Sequence, residues 1–219
     1  MPLLIWLKES LFNFLFPKRA RVLHLESLTT AKLLDILPSC ERIESENIVA
    51  LFNYQNSLVK EIIWGIKYNG NKVLAERLGE ILFDTIMAEL SERNIFEKTG
   101  NVILMPMPIS DRRRFERGWN QTELITEAVK SNDASQKLKY LPRQLAKVIH
   151  TESQTRTSGR KERRENLHNS MRVINPLSVK DRYVVLIDDV TTTGSTFKEA
   201  VRALKVAEAK KVLCFAVAH

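Results

Sequence analysis

Between Val184 and Thr196 the chain sets four apolar residues, Val184 to Ile187, ahead of two adjacent carboxylates, Asp188 and Asp189. A hydroxyl-rich turn around a single glycine follows, Thr191-Thr192-Thr193-Gly194-Ser195-Thr196. A short β-branched run of this kind suits a strand buried on both faces of a parallel sheet, and the spacing from Phe197 to Val206 is helical. Strand, turn and helix in that order put the backbone N–H groups of the turn at a helix N-terminus, where the dipole favours an anion. Gly194 lets the backbone approach a phosphate closely, and the hydroxyls of Thr192, Thr193, Ser195 and Thr196 can donate to its oxygens. At the carboxyl end of the strand, a carboxylate can accept hydrogen bonds from two neighbouring hydroxyls, such as the 2- and 3-hydroxyls of a ribose. The residue types thus describe a ribose 5-phosphate site. The plainer reading, a capped strand-to-helix turn in an ordinary α/β protein, uses the same Ser and Thr residues. A Walker-type nucleotide loop fits poorly, because G-x-x-x-x-G-K-[ST] is absent and Gly194 stands alone.

The segment closely resembles the PRPP-binding motif of type I phosphoribosyltransferases. Further motifs narrow the resemblance. Met105-Pro106-Met107-Pro108 closes an apolar run and leads to Arg112, Arg113, Arg114 and Arg117-Gly118-Trp119-Asn120-Gln121; Gln154-Thr155, Arg163 and Asn166 follow, and Ile66-Lys67-Tyr68 precedes. Together these resemble the ComF family, whose pattern runs P-V-P, R-G-F-N-Q, P-Q-T, R-x-x-N and then the PRPP motif. The resemblance extends from about Val49 to His219, with Trp119 in place of the usual Phe and Met171 where a Phe is common. It implies that Asp188 and Asp189 are the ribose-binding and catalytic pair and that Thr191, Thr192, Thr193, Gly194, Ser195 and Thr196 hold the 5-phosphate. Pyrophosphate contacts would come from the loop at Met107, from Arg114 and Arg117, and from Lys67. Gln154, Arg163 and Asn166 would belong to a flexible loop that closes over the site and excludes water. Mg²⁺ would enter with PRPP, since it keeps most of its waters and takes phosphate oxygens as ligands. Members of the family are linked to DNA uptake in natural transformation.

One departure concerns zinc. Family members usually open with a ribbon of C-x-x-C pairs after a leading amphipathic helix that ends in Phe-Pro. Leu11 to Pro17 reproduces that helix end, but the whole chain has only two cysteines, Cys40 and Cys214. Two isolated thiols cannot make a four-ligand site, and His24, His150, His168 and His219 show no paired ligand spacing. No structural zinc is expected. Cys214, in an apolar run, reads as a small core residue.

Composition and charge bound the remaining possibilities. A chain of 219 residues, 44% apolar with seven glycines, can bury one good core and a small appendage. Leu3 to Phe16 is strongly apolar but shorter than the roughly 20 residues of a membrane span, is interrupted by Lys8 and Glu9, and lacks a cleavage site, so no transmembrane segment and a cytoplasmic location are expected. The net charge is +8; residues 111–117 and 156–172 supply +6 of it. A solvated charged face is the usual origin of such runs. Beside a phosphate site they also complement PRPP, and the same field would steer single-stranded nucleic acid, with Trp119 as a stacking surface or, as the favoured reading, as a core residue at a helix start.

These residues need a frame. Spacing predicts strands at Ile48 to Tyr54, Val102 to Met107, Leu141 to Ile149, Ser170 to Ile174, the PRPP strand and Lys211 to Ala218. Helices are predicted at Ser57 to Lys67, Lys72 to Leu90, Trp119 to Lys130, Ser158 to Asn166 and after Gly194, with an arginine loop between Met107 and Trp119. Alternating strands and helices imply an α/β fold, a mostly parallel sheet with helices on both faces and ligands at the strands' carboxyl ends, as in type I phosphoribosyltransferases. Residues 1–46 would form an N-terminal helix and linker, a degenerate, zinc-free counterpart of the ribbon, and residues 47–219 the phosphoribosyltransferase-like domain. Two functions share every residue of the phosphate site. One is phosphoribosyl transfer, a glycosyltransferase reaction releasing pyrophosphate; the other is non-catalytic binding of PRPP or single-stranded nucleic acid in DNA uptake.

Overall fold

A computed structural model of the chain describes residues 20–40, 47–148 and 169–219. Its centre is a wholly parallel sheet built from β1 (Ile48–Phe52), β2 (Val102–Pro106), β3 (Leu138–Tyr140), β6 (Tyr183–Val190) and β7 (Lys211–Ala218), in the order β1-β7-β6-β2-β3. A separate antiparallel pair joins β4 (Leu145–Lys147) to β5 (Met171–Val173), with Leu145 opposite Val173. The expected α/β architecture is present.

Alternation along the strands divides the core in two. Val185 and Ile187 of β6 and Leu104 of β2 face one hydrophobic cluster, whereas Val184, Leu186, Ile103 and Met105 face another. Both faces are therefore buried, which explains why these strands read as continuous apolar runs. The first face is covered by α3 (Ser57–Asn69), α4 (Lys72–Glu92) and α7 (Gln121–Ser131), the second by α8 (Ser195–Val206) and the hairpin residues Leu145 and Met171. The α4 and α7 helices cross closely. A Cβ built on Gly79 would lie 2.4 Å from Ala128 Cβ and 2.8 Å from the Ala128 carbonyl carbon.

The structure corrects the sequence reading at several points. The arginine stretch is a helix, α6 (Asp111–Arg117), capped by the Ser110 side chain and closed by Gly118 at a φ of 82°, not a loop. The following helix begins at Gln121, because the Asn120 side chain accepts from the Thr122 N–H and caps it. Two short helices that spacing did not reveal, α1 (Ala20–Ser27) and α2 (Thr30–Ile36), precede β1, and a small one, α5 (Ile95–Lys98), follows α4. Leu25, Leu33 and Leu37 join the same cluster as α3 and α4. The predicted strand Leu141 to Ile149 is cut to Leu145–Lys147, and the edge strand β3 lies ahead of it. The apolar segment Leu3 to Phe16 and the predicted helix Ser158 to Asn166 lie outside the described residues. Among the described residues no helix is long and apolar enough to cross a membrane.

Candidate functional site

In an open parallel sheet, the crevice lies where consecutive connections leave in opposite directions. Here β6 passes through α8 to β7 on one side, and β2 passes through α6 and α7 to β3 on the other, so the carboxyl ends of β6 and β2 flank the switch point. Asp188 and Asp189 end β6, and Met107-Pro108 ends β2.

The acidic pair is buried, each residue 8% exposed. Alternation sends its two carboxylates to different faces. Asp189 follows Val185 and Ile187 toward α7, where its Oδ2 accepts from Gln121 Nε2 at 3.1 Å and its Oδ1 accepts from the Val190 N–H at 2.9 Å. Asp188 follows Val184 and Leu186 toward the hairpin side, accepting the Asp189 N–H at 2.9 Å. Burial first, and the neighbouring Asp189 second, hold the Asp188 carboxyl well above the ordinary carboxylate range. Burial, then the field of Asp188, also pushes the Cys214 thiol up to about 12, so this cysteine is an unreactive core residue.

The turn after β6 leads into the N-terminus of α8. Thr191 is buried, and its N–H donates to the Ala218 carbonyl at 2.9 Å, which extends the β6–β7 pairing by one step. Gly194 then takes a left-handed backbone, φ 68°, as the N-cap of α8, with no acidic residue in its first turn, and the Ser195 N–H donates to Thr193 Oγ1 at 3.4 Å. The first N–H groups of α8 have no partner within the helix. Thr192 and Thr193 are exposed, and the Thr193 hydroxyl donates to Ser195 Oγ at 3.0 Å. Ser195 and Thr196 complete the turn, half-buried.

Behind the β2 loop, Met107 is a support. Its N–H donates to the Ile187 carbonyl at 2.7 Å, and its carbonyl accepts from Asn120 Nδ2 at 3.0 Å and the Thr122 hydroxyl at 2.7 Å. Both backbone groups of Met107 are thus engaged, and the following residues Pro108 and Ile109 face the cavity beside the loop. This ties the carboxyl end of β2 to the start of α7.

The basic candidates separate into two groups. Arg117 Nη1 donates to Gln121 Oε1 at 3.1 Å, and the Arg117 guanidinium stands 5.4 Å from the centroid of the Tyr68 ring. Lys67 Nζ lies 5.6 Å from the same centroid. Lys67, Arg117, Gln121 and Asp189 therefore form one connected edge of the site. Arg114 is differently placed, making a two-point ion pair with Glu123 on α7 that includes a 3.0 Å bond from Nη1 to Oε2. Gln154, Arg163 and Asn166 lie outside the described residues. Trp119 is half-buried: its indole N–H donates to the Ile66 carbonyl at 3.0 Å, and its ring packs over Gly70. It locks α3 to the start of α7.

Two residues gain importance only in three dimensions. Gln121 belongs to a motif visible in the sequence, but its role as the donor to Asp189 follows from the packing of α7 on β6. Lys147, at the end of β4, sits within the field of Asp188 and Asp189. A strand-terminal lysine carries no sequence signal, because nothing local says that the hairpin folds back over β6. The hairpin is held there by Glu199, whose Oε1 accepts the Met171 N–H at 3.1 Å, and by Arg202, which donates to the Met171 carbonyl at 3.0 Å. Among the described residues no group of three or more His, Cys, Asp or Glu side chains is placed to hold a metal ion.

Sheet order, acidic pair and glycine turn together define a phosphoribosyltransferase-like α/β domain, and residues 130–219 match the phosphoribosyl transferase domain family. The chain is 32% identical over 103 residues to Competence protein F of Haemophilus influenzae, covering 47% of this chain and 43% of that one. It is 33% identical over 101 residues to the DNA utilization protein YhgH of Escherichia coli, covering 46% and 42%. The chain thus spans less than half the length of these curated relatives. Among solved structures it is similar to the allosteric regulatory enzyme of purine biosynthesis, with 15% identity, a TM-score of 0.40 and coverage of 71% of this chain and 30% of that one. These matches support a ComF-like, phosphoribosyltransferase-like reading of the part of the chain that they cover.

Proposed function

We propose that the chain binds PRPP, with Asp188 and Asp189 accepting the ribose hydroxyls and the Thr191–Thr196 turn taking the 5-phosphate, and that it transfers the phosphoribosyl group with release of pyrophosphate. The single observation that carries this reading is the buried carboxylate pair shortly before a helix N-terminus that opens at Gly194, at the switch point of a parallel sheet. A phosphate at the first turn of α8 and ribose hydroxyls at Asp188 and Asp189 place the anomeric carbon over the crevice between β6 and β2. Catalysis of the transfer then consists of holding donor and acceptor in line and neutralising the leaving pyrophosphate. Gln121 orients Asp189, and Arg117 and Lys67 supply positive charge along the same edge. The residues fit a magnesium ion carried in by the ligand rather than a protein cage, since the described carboxylates do not form a metal-binding group. Mg²⁺ would contribute charge neutralisation on the phosphate oxygens. Calorimetry with PRPP and Mg²⁺ tests the binding, and pyrophosphate release with a panel of acceptors tests the transfer. Replacing Asp188 and Asp189 together with Ala removes the ribose acceptors; equal affinity in that variant overturns the ribose assignment.

A second reading, binding of single-stranded nucleic acid in DNA uptake, is favoured by the exposed aromatics of α3. Trp64 and Tyr68 are 54% and 57% exposed, edge-to-face at 6.4 Å, with Lys67 and Arg117 against Tyr68. Aromatic faces flanked by cations suit bases and phosphates. The names of the two relatives, one a competence and one a DNA utilization protein, point the same way. Affinity for an oligonucleotide across a salt series, with and without PRPP, tests it: a flat salt dependence excludes phosphate-driven binding. The same series on a variant with Arg160, Arg163 and Arg164 neutralised tests the basic segment outside the described residues.

A further inference from the structure

Just past the carboxyl end of β7 stands an imidazole that the phosphate reading leaves without a role. His219 is held by its main chain: its N–H donates to the Phe52 carbonyl at 3.0 Å and its main-chain oxygen accepts from the Tyr54 N–H at 2.8 Å, which continues the β1–β7 pairing beyond Phe52 and Ala218. The end of β1 is fixed in turn from its outer edge, where the Cys40 N–H donates to the Leu51 carbonyl at 2.8 Å and the Asn53 N–H to the Pro38 carbonyl at 3.0 Å. From this braced position the imidazole reaches the phosphate turn, and its Nε2 lies 2.9 Å from the Thr192 carbonyl oxygen. A carbonyl only accepts, so Nε2 is the ring nitrogen that carries a proton and donates. The Thr191 N–H already donates to the Ala218 carbonyl at 2.9 Å. Two consecutive residues at the end of β7 thus clamp two consecutive residues of the turn.

We propose that His219 is a positioning residue of the phosphate turn: by donating from Nε2 to the Thr192 carbonyl, it holds the Thr192–Thr193 peptide in the orientation that presents the Thr193 N–H to the phosphate of a phosphorylated sugar. The peptide is trans, so its N–H points away from its C=O. A carbonyl drawn to His219 therefore sends the Thr193 N–H to the opposite side of the turn. Among the described residues that N–H, and the next one at Gly194, donate to no acceptor. Thr192 and Thr193 are exposed and border a glycine with a left-handed backbone, so nothing in their own packing prevents the peptide from turning over. Turned over, it would set a carbonyl oxygen against the phosphate oxygens, acceptor against acceptor. Donors fixed before the ligand arrives cost no reorganisation when it binds. The proposal rests on the assignment of the 5-phosphate to this turn, made above, and adds the side chain that shapes the turn; His219 acts through Thr192 and Thr193 rather than on the ligand.

Ribose 5-phosphate is the probe, because it tests the turn without a pyrophosphate arm. In calorimetry His219→Phe, which keeps a ring and loses the donor, is expected to bind it about fivefold more weakly, the equivalent of one neutral hydrogen bond. His219→Gln sets an amide N–H where Nε2 stands and is expected to restore the affinity of the unaltered chain. The side chain is exposed and both variants keep the main-chain bonds to Phe52 and Tyr54, so both should melt with the unaltered chain. Nitrogen NMR of the ligand-free protein, recorded on the neutral ring, should find His219 protonated at Nε2. The Thr193 amide resonance should move in His219→Phe and return in His219→Gln, a signature that a merely structural role would not give. Affinity unchanged in His219→Phe, or equally reduced in His219→Gln, overturns the proposal, and so does a ring protonated at Nδ1. Ribose 5-phosphate that fails to bind the unaltered chain overturns the assignment of the turn and the proposal with it, whereas binding that ignores His219 overturns the proposal alone.

Discussion

Gly79→Ala separates intrinsic helix preference from packing by the sign of a single measurement. In the interior of α4, a 21-residue helix, replacing glycine with alanine should on propensity alone stabilise the fold by about 1 kcal/mol. The crossing with α7 reverses this. The new methyl group would meet Ala128 Cβ at 2.4 Å, the Ala128 carbonyl carbon at 2.8 Å and the Val129 nitrogen at 2.9 Å. Two of these atoms are backbone, so no side-chain rotation relieves the contact and α7 must shift as a body. Overpacking of a rigid site costs about 3 kcal/mol, the upper end of its usual range, leaving a net loss of about 2 kcal/mol. For a chain of this size that lowers the thermal midpoint by about 4–8 °C. Because α7 begins with Gln121, its displacement also loosens the bond to Asp189, and PRPP affinity should fall with stability. Differential scanning calorimetry, paired with a PRPP titration below the transition, reads both. A midpoint equal to or above that of the unaltered chain would refute the close crossing and with it the account of how α7 positions Gln121.

Three further outcomes follow from the site. Gln121→Met keeps the volume but removes the donor to Asp189 and the acceptor for Arg117; losing hydrogen bonds to charged groups, about 1.5–3 kcal/mol, should weaken PRPP about tenfold or more in calorimetry, and an unchanged affinity would discount the Arg117–Gln121–Asp189 edge. Asp188→Asn should raise the thermal midpoint of the ligand-free protein at about pH 8 while reducing PRPP binding, since it removes a buried carboxylate held above its ordinary range. A raised carboxyl favours the fold when protonated, so the natural chain gains stability as pH falls through the raised value, and the advantage of the variant should shrink toward about pH 4.5; an advantage that grows on acidification contradicts the burial of Asp188. The purified protein should contain no stoichiometric zinc and keep its midpoint in a strong chelator, and elemental analysis finding one zinc per chain would overturn the zinc-free reading of residues 1–46.

What the sequence disclosed followed the range of the interactions involved. β6, β7, α3 and α4 were legible because their apolar periods are long, and the Gly194 turn because few residues adopt its backbone. The helix α6 was signalled by Ser110 and Gly118, a cap at either end, but four arginines masked the signal by reading as a loop. β3 is three residues long at a sheet edge and earns its conformation from β2, with Val102 paired to Leu138. The helices α1 and α2 are too short for a clear period and owe their place to Leu25, Leu33 and Leu37 packing on the core. At the site, residue types pointed to the acidic pair and the phosphate turn, whereas pairwise geometry diverted Arg114 to Glu123, tucked Trp119 under Ile66 and brought Lys147 to Asp188. Those contacts span long stretches of sequence, and no local pattern encodes them.

The position of β6 has a consequence for how long the site lasts between openings. This strand is paired on both edges, to β2 from Ile103 and to β7 from Tyr183, so freeing its amides means separating the sheet itself. Its hydrogen-exchange protection should therefore equal that of the whole fold. The hairpin is a different cooperative unit, a two-stranded ribbon moored to α8 through Glu199 and Arg202. It can exchange by lifting away while the floor stays closed. The acidic pair thus belongs to the part of the molecule that opens last, and Lys147, which bears on it from the hairpin, to a part that opens early.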